Sequence, residues 1–145
     1  MAYNFKIPCE KDRLSDIREF LTSVLSRHEI PEKEMNALIL AVDEVCANLI
    51  IHSHNCNPEE YIELTVDILN NSEIIFEIVD RGIGFNINEY QEPSLNEIVN
   101  QRRKGGMGLM LVKRIMDEIE LVRGKKENIY RLLKRYNINS DNSET

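Results

Sequence analysis

Three groups of residues in this chain have types and spacings that could do chemistry. Glu44 and Asn48 stand four apart in an apolar-periodic stretch, so on a helix they share a face, with Cα atoms ~6 Å apart along the axis. Ala37 and Ala41 flank that face and leave room for a ligand beside the polar pair, although an ordinary solvated stripe would carry the same two residues. Asp80-Arg81-Gly82-Ile83-Gly84 follows a β-branched run that ends at Val79. An aspartate there can accept a hydrogen bond from an exocyclic amine, and the glycines let backbone approach a flat ring; a plain glycine turn closing a strand is the alternative. Gly105-Gly106-Met107-Gly108 opens a helix and is preceded by Gln101-Arg102-Arg103-Lys104. Unpaired N–H groups and the dipole at a helix N-terminus favour anions, so this reads as a phosphate cradle or else as a hinge. It is no Walker A loop, because no Gly-Lys-Ser/Thr follows, and the G-x-G-x-x-G spacing of dinucleotide folds is absent.

Several elements must position these groups. Tyr3 to Pro8 alternates as a first strand, and Leu14, Ile17, Leu21 and Leu25 give helical spacing to the stretch from Cys9 to His28. Pro31, expected in the first turn, opens a second helix that runs to about His54. Met35, Leu38, Ile39, Val42, Val45, Cys46, Leu49 and Ile50 form its apolar stripe, and Leu40, Ala47 and Ile51 broaden it, so the helix should be largely buried. Tyr61 to Leu69 and Ile74 to Val79 read as a hairpin joined by Asn70-Asn71-Ser72, residue types that accept left-handed backbone. The polar stretch from Arg81 to Lys104 reads as a long loop of the lid kind. Leu109, Leu111, Val112, Ile115, Met116 and Ile119 then predict a third helix ending before Val122; a turn at Gly124 to Lys126 leads into a final strand, Ile129 to Lys134. The simplest arrangement is one antiparallel or mixed sheet with helices on one face.

Composition bounds what such a fold could serve. A chain of 145 residues suits one domain with a true core, and 42% hydrophobic with 30% charged residues reads as globular. With 18 basic against 25 acidic residues the formal charge is −7, which repels nucleic acid; Arg102-Arg103-Lys104 is too short for a nucleic-acid groove but could meet a few phosphates. No apolar run is long enough to span a bilayer and no secretory pattern opens the chain, so a cytoplasmic protein with reduced thiols is expected. Cys9, Cys46 and Cys56 form no C-x-x-C pair, and His52, His54 and Cys56 lack a fourth ligand for a zinc site. The polar stretch Asn137 to Thr145 is expected to be a disordered tail behind a domain of residues 1–136.

Taken in order, Glu44/Asn48 on a helix, Asp80-x-Gly82-x-Gly84 after a strand and Gly106-Met107-Gly108 before a helix resemble the N, G1 and G2 boxes of the GHKL ATPases. The resemblance spans nearly the whole chain. Its wording at Ala41-Val42-Asp43-Glu44-Val45-Cys46-Ala47-Asn48-Leu49-Ile50-Ile51-His52 and at Gly106-Met107-Gly108-Leu109-Met110-Leu111-Val112 is similar to the anti-sigma-factor serine kinases. It implies the Bergerat ATP-binding fold, an α+β two-layer sandwich with a mixed, mainly antiparallel sheet and helices on one face. It further implies ATP and Mg²⁺ as cofactors, with Asn48 helping to hold the metal and Asp80 meeting the adenine amine. Gly82 and Gly84 would line the base pocket, and Gly105, Gly106, Met107 and Gly108 the phosphates. Glu44 would be the general base, and Arg102, Arg103 or Lys104 would reach the γ-phosphate, the spacing not choosing among them. The family often opens its last strand with a threonine near the adenine; this chain reads Lys126-Glu127-Asn128-Ile129 there, so the resemblance supplies no such contact.

The function so implied is a Mg·ATP-dependent serine/threonine-protein kinase that phosphorylates an anti-sigma-factor antagonist, also binds a sigma factor, and forms a homodimer without nucleic acid or membrane as partners. A nucleotide-dependent module that sequesters a partner without phosphotransfer would need Asn48 and Asp80 but not Glu44. The catalytic piece of a histidine kinase is a further alternative, but no helical hairpin bearing a phosphoacceptor histidine precedes the site, and His28, His52 and His54 all lie in or beside the second helix.

Overall fold

A computed structural model of the chain describes residues 1–53, 57, 59–70, 72–81 and 107–136. Alternation builds the sheet. In β1 (Ala2–Pro8), β2 (Tyr61–Leu69), β3 (Glu73–Asp80) and β5 (Asn128–Arg135), alternate residues point to one face, where Ile62, Leu64, Val66, Ile74, Phe76, Ile78, Tyr130 and Leu132 are all fully buried. With β4 (Glu118–Arg123) the strands lie in the order β1-β2-β3-β5-β4, and every pairing is antiparallel. The chain therefore leaves β3, reaches the far edge as β4, and returns as β5 between the two.

Helices α1 (Leu14–Ser26), α2 (Glu32–Asn48) and α3 (Met107–Ile115) cover the buried face. α2 lies between the other two and packs on both. Ile17, Leu21 and Leu25 of α1, Leu38, Val42 and Val45 of α2, and Val112 of α3 join the sheet's inner residues in one continuous core. Hydrophobic burial there is the main force that fixes the layer spacing. Among the described residues no helix is long and apolar enough to cross a membrane.

The expected hairpin forms, with Asn70 in the left-handed region at φ 52° and the Ser72 N–H donating to the Leu69 carbonyl at 3.0 Å. Other expectations shift. Cys9 does not start the first helix: its N–H donates to the Glu60 carbonyl at 2.9 Å and prolongs the β1–β2 ladder, and a 3₁₀ turn at Lys11–Arg13 precedes α1. Pro31 is the N-cap of α2 rather than part of its first turn, with ψ 140° still extended. The second helix stops being α-helical at Asn48 and widens into a π turn, Leu49–Ser53. Leu40, expected to extend the apolar character of this helix beyond its stripe, is 43% exposed.

The largest correction concerns the third helix, which ends at Ile115 rather than running past Ile119. The Met116 N–H still reaches back to the Val112 carbonyl, but the Asp117 N–H donates to Leu133 in β5. Glu118-Ile119-Glu120-Leu121 alternates with period two, sending Ile119 and Leu121 against the core while Glu120 pairs with Arg131 and Glu118 with Arg135. Strand pairing beats helix propagation because it satisfies both the backbone and the outward charges. The β4–β5 turn needs Gly124, since a Cβ there would lie 2.9 Å from the Glu127 carbonyl oxygen that its own N–H contacts at 2.7 Å.

Candidate functional site

Asp80 closes β3, and the alternation of that strand turns its side chain to the same face as Ile74, Phe76 and Ile78. It is 0% exposed, in a position otherwise reserved for apolar groups. A buried carboxylate requires hydrogen-bonding partners. One comes from β5: Asn128 is its directly opposed residue in the β3–β5 register and donates from Nδ2 to Asp80 Oδ2 at 3.5 Å. Asn128 is only 7% exposed, and it and Asp80 are the buried polar residues among those described. Sequence reasoning did not select Asn128; its signal was a polar residue at the start of an otherwise alternating apolar strand.

The helical pair sits at the end of α2, within the helix layer that shares its core with the sheet. Asn48 folds back on its own helix, its Nδ2 donating to the Glu44 backbone carbonyl at 2.7 Å. That bond uses the amide nitrogen, and the other end of the group is Oδ1, a hard oxygen of the kind that suits Mg²⁺. The π turn starts at the next residue, and an insertion of this kind re-aims the backbone that follows; such turns recur at functional sites.

Glu44 is half-buried, and its carboxyl is pushed above the ordinary range, chiefly by burial and then by the neighbouring charge of Asp43. Asp43 is itself raised by burial, partly offset by Arg18, whose guanidinium lies 3.3 Å from its carboxylate. Arg18 thus partly compensates Asp43, whereas Glu44 is raised both by burial and by the Asp43 charge. A carboxylate with a raised pKa is better matched to proton abstraction near neutral pH than an ordinary one.

Met107 and Gly108 are the first two residues of α3, so the glycine-rich stretch does lead into a helix N-terminus, on a helix packed against α2. Gly82, Gly84, Arg102, Arg103, Lys104, Gly105 and Gly106 lie outside the described residues, as do the expected lid of residues 85–104, His54, Cys56 and the tail 137–145. Cys9 and Cys46 are buried and outside any disulfide, and burial pushes the Cys46 thiol upward, away from nucleophilic reactivity. Among the described residues no cluster of His, Cys, Asp and Glu could hold a metal by itself.

A five-stranded antiparallel sheet under helices, with a buried strand-end aspartate and a Glu/Asn pair at a helix end, defines a class: the chain belongs to the histidine kinase-like ATPase domain family, which matches residues 7–134. Within that class it is 32% identical over 123 residues to serine-protein kinase RsbW of Bacillus pumilus, covering 80% of this chain and 75% of that protein. It is 30% identical over 110 residues to the anti-sigma F factor of Bacillus cytotoxicus, covering 75% and 74%. Two solved structures share the fold. The RsbU and RsbW domains of a Mycobacterium tuberculosis protein superpose with TM-score 0.65 at 11% identity, over 93% of this chain and 32% of that one. The SiaB-SiaC complex of Pseudomonas aeruginosa gives 0.64 at 12% identity, over 91% and 88%.

Proposed function

We propose that the chain is a Mg·ATP-dependent serine/threonine-protein kinase acting as a regulatory switch, an anti-sigma factor that phosphorylates an anti-sigma-factor antagonist. The names of its relatives support that activity, and one observation on this chain carries it: Glu44 is held half-buried, with a raised pKa, one helical turn before Asn48. A module that only binds nucleotide has no use for a carboxylate whose partial burial costs stability.

In this reading Asp80 accepts a hydrogen bond from the adenine amine, Gly82 and Gly84 line the base, and Gly105, Gly106, Met107 and Gly108 bring N–H donors to the phosphates. Arg102, Arg103 or Lys104 supplies a cationic contact to the γ-phosphate. Asn48 Oδ1 fits the oxygen-ligand chemistry of Mg²⁺, which when bound neutralises charge on the phosphate oxygens. Glu44 takes the proton from a serine or threonine hydroxyl of the partner as that oxygen bonds to the γ-phosphorus. The bond from that phosphorus to the β–γ bridging oxygen breaks, and ADP leaves. The ATP-binding domain comprises residues 1–136 with 137–145 as a tail, and the protein works in the cytoplasm as a homodimer that also binds a sigma factor.

The test is to incubate the purified chain with γ-labelled Mg·ATP and the regulatory proteins encoded beside it. The expected outcome is label on a serine or threonine of one partner, stable to acid. Acid-labile label on histidine, or ATP binding with no transfer to any partner, would overturn the assignment.

A further inference from the structure

We infer that Asn128 is a positioning residue of base recognition, holding the Asp80 carboxylate in the orientation that selects a purine bearing a 6-amino group. The inference rests on the reading that Asp80 meets the base, and it deepens that reading. Directly opposed residues of an antiparallel pair project from the same face, so the register alone puts the two side chains together inside the fold. The neighbours that follow Asn128 on that face are fully buried, Tyr130 a phenol and Leu132 an aliphatic chain, and neither is the strand partner that opposes Asn128. The chemistry of the Asp80–Asn128 pair gives a reason for a carboxamide there. An arginine or lysine in place of Asn128 would neutralise Asp80 and compete with an incoming amine, whereas a neutral amide steadies one carboxylate oxygen and leaves the negative charge in place. At 3.5 Å the contact is longer than the usual ~2.7–3.2 Å of an N–H···O bond, so it is a weak one that leaves Asp80 most of its acceptor capacity. Fixing Oδ2 fixes the carboxylate plane, and with it the direction of Oδ1. A carboxylate edge accepts from the 6-amino group of adenine and opposes the carbonyl oxygen that guanine carries at the same place.

Asparagine is also a common turn residue, and Asn128 follows the β4–β5 turn, so the experiment must separate positioning from a structural part. Calorimetry on the full chain compares Mg·ATP with Mg·purine riboside triphosphate, which lacks the 6-amine, for the unmutated protein, Asp80→Asn and Asn128→Ala. The expected result is that Asn128→Ala weakens ATP by about 3- to 10-fold, the scale of a lost ordinary hydrogen bond, while the amine-free nucleotide changes less than about twofold. Equal weakening of both nucleotides, or no change in either, would overturn the role of Asn128 while a preference for ATP that Asp80→Asn abolishes keeps the base-pocket reading standing. No preference for ATP in the unmutated chain would overturn both. If Asn128→Ala does not fold, Asn128→Leu serves, since it is close in volume and lacks the donor. It should likewise weaken ATP and leave the amine-free nucleotide nearly unchanged, and an ATP preference equal to that of the unmutated chain would overturn the inference.

Discussion

The two halves of the site are built differently. Asp80 and Asn128 stand on neighbouring strands in the middle of the sheet, fully or nearly fully buried, and their relation is set by backbone register. Glu44 and Asn48 stand on the last turns of one helix, half-buried, beside a π turn and an ion pair that reaches across to α1. On the proposed reading, recognition of a base needs a fixed geometry, which a sheet with neighbours on both sides supplies, and proton abstraction needs a carboxyl held away from its ordinary pKa, which partial burial at a helix end supplies.

That contrast can be broken most forcefully at the strand half. Phe76 is fully buried in β3, two places along the same face from Ile78 and four from Asp80. Phe76→Ala should cost about 3–5 kcal/mol of unfolding free energy in denaturant titration and weaken nucleotide binding with it. Full nucleotide affinity in a destabilised Phe76→Ala would show that the sheet does not hold the base pocket.

Asp80→Asn comes next in size. It keeps shape but removes the negative acceptor, and should weaken ATP by about 10- to 100-fold, measured by calorimetry, with the melting temperature changed far less than in Phe76→Ala. Loss of folding comparable to the phenylalanine variant would make Asp80 a structural group instead.

A smaller effect sharpens the helix half. A carboxyl whose pKa is raised in the folded chain binds its proton more tightly there, so it favours the folded state at acidic pH and that contribution is lost as pH rises through the raised value. Glu44 is such a group, its shift caused by burial and by Asp43. Glu44→Gln should therefore melt slightly higher than the unmutated chain at pH 8, by about 1–2 °C since the group is partly exposed, and the gap should close as pH falls toward about 4.3. A gap that widens on acidification would mean that Glu44 stabilises the fold as an anion and is not strained.

Most of the fold was legible because its signals are local. β2 is bounded where alternation bounds it, β3 and β5 extend one residue further at each end, and Asn70 adopts the left-handed backbone its residue type allows. The failures are equally specific. Ile119 lies four residues after Ile115, so one apolar residue served both a helical period and the two-residue period of β4, and only pairing with β5 decides between them. The π turn was hidden because Leu49, Ile50 and Ile51 continue the apolar run without a break. Glu44, Asn48 and Asp80 could be picked out by their contrast with apolar surroundings, and the structure places Glu44 and Asn48 on one helix end and Asp80 inside the fold. Asn128 carried only the weak signal of a polar residue opening an apolar strand, and its pairing with Asp80 was hidden because the two are 48 residues apart and meet through sheet register.

The central claim is that the helix half performs phosphoryl transfer and that Glu44 is its base. Single-turnover transfer from Mg·ATP to the partner, measured beside nucleotide affinity for the unmutated chain and Glu44→Gln, tests it most directly. The variant should bind ATP within about twofold of the unmutated chain and transfer phosphate roughly 10²- to 10⁴-fold more slowly, and the rate of the unmutated chain should rise with pH through a pKa above the ordinary carboxylate range. Transfer by Glu44→Gln at the unmutated rate would contradict the account.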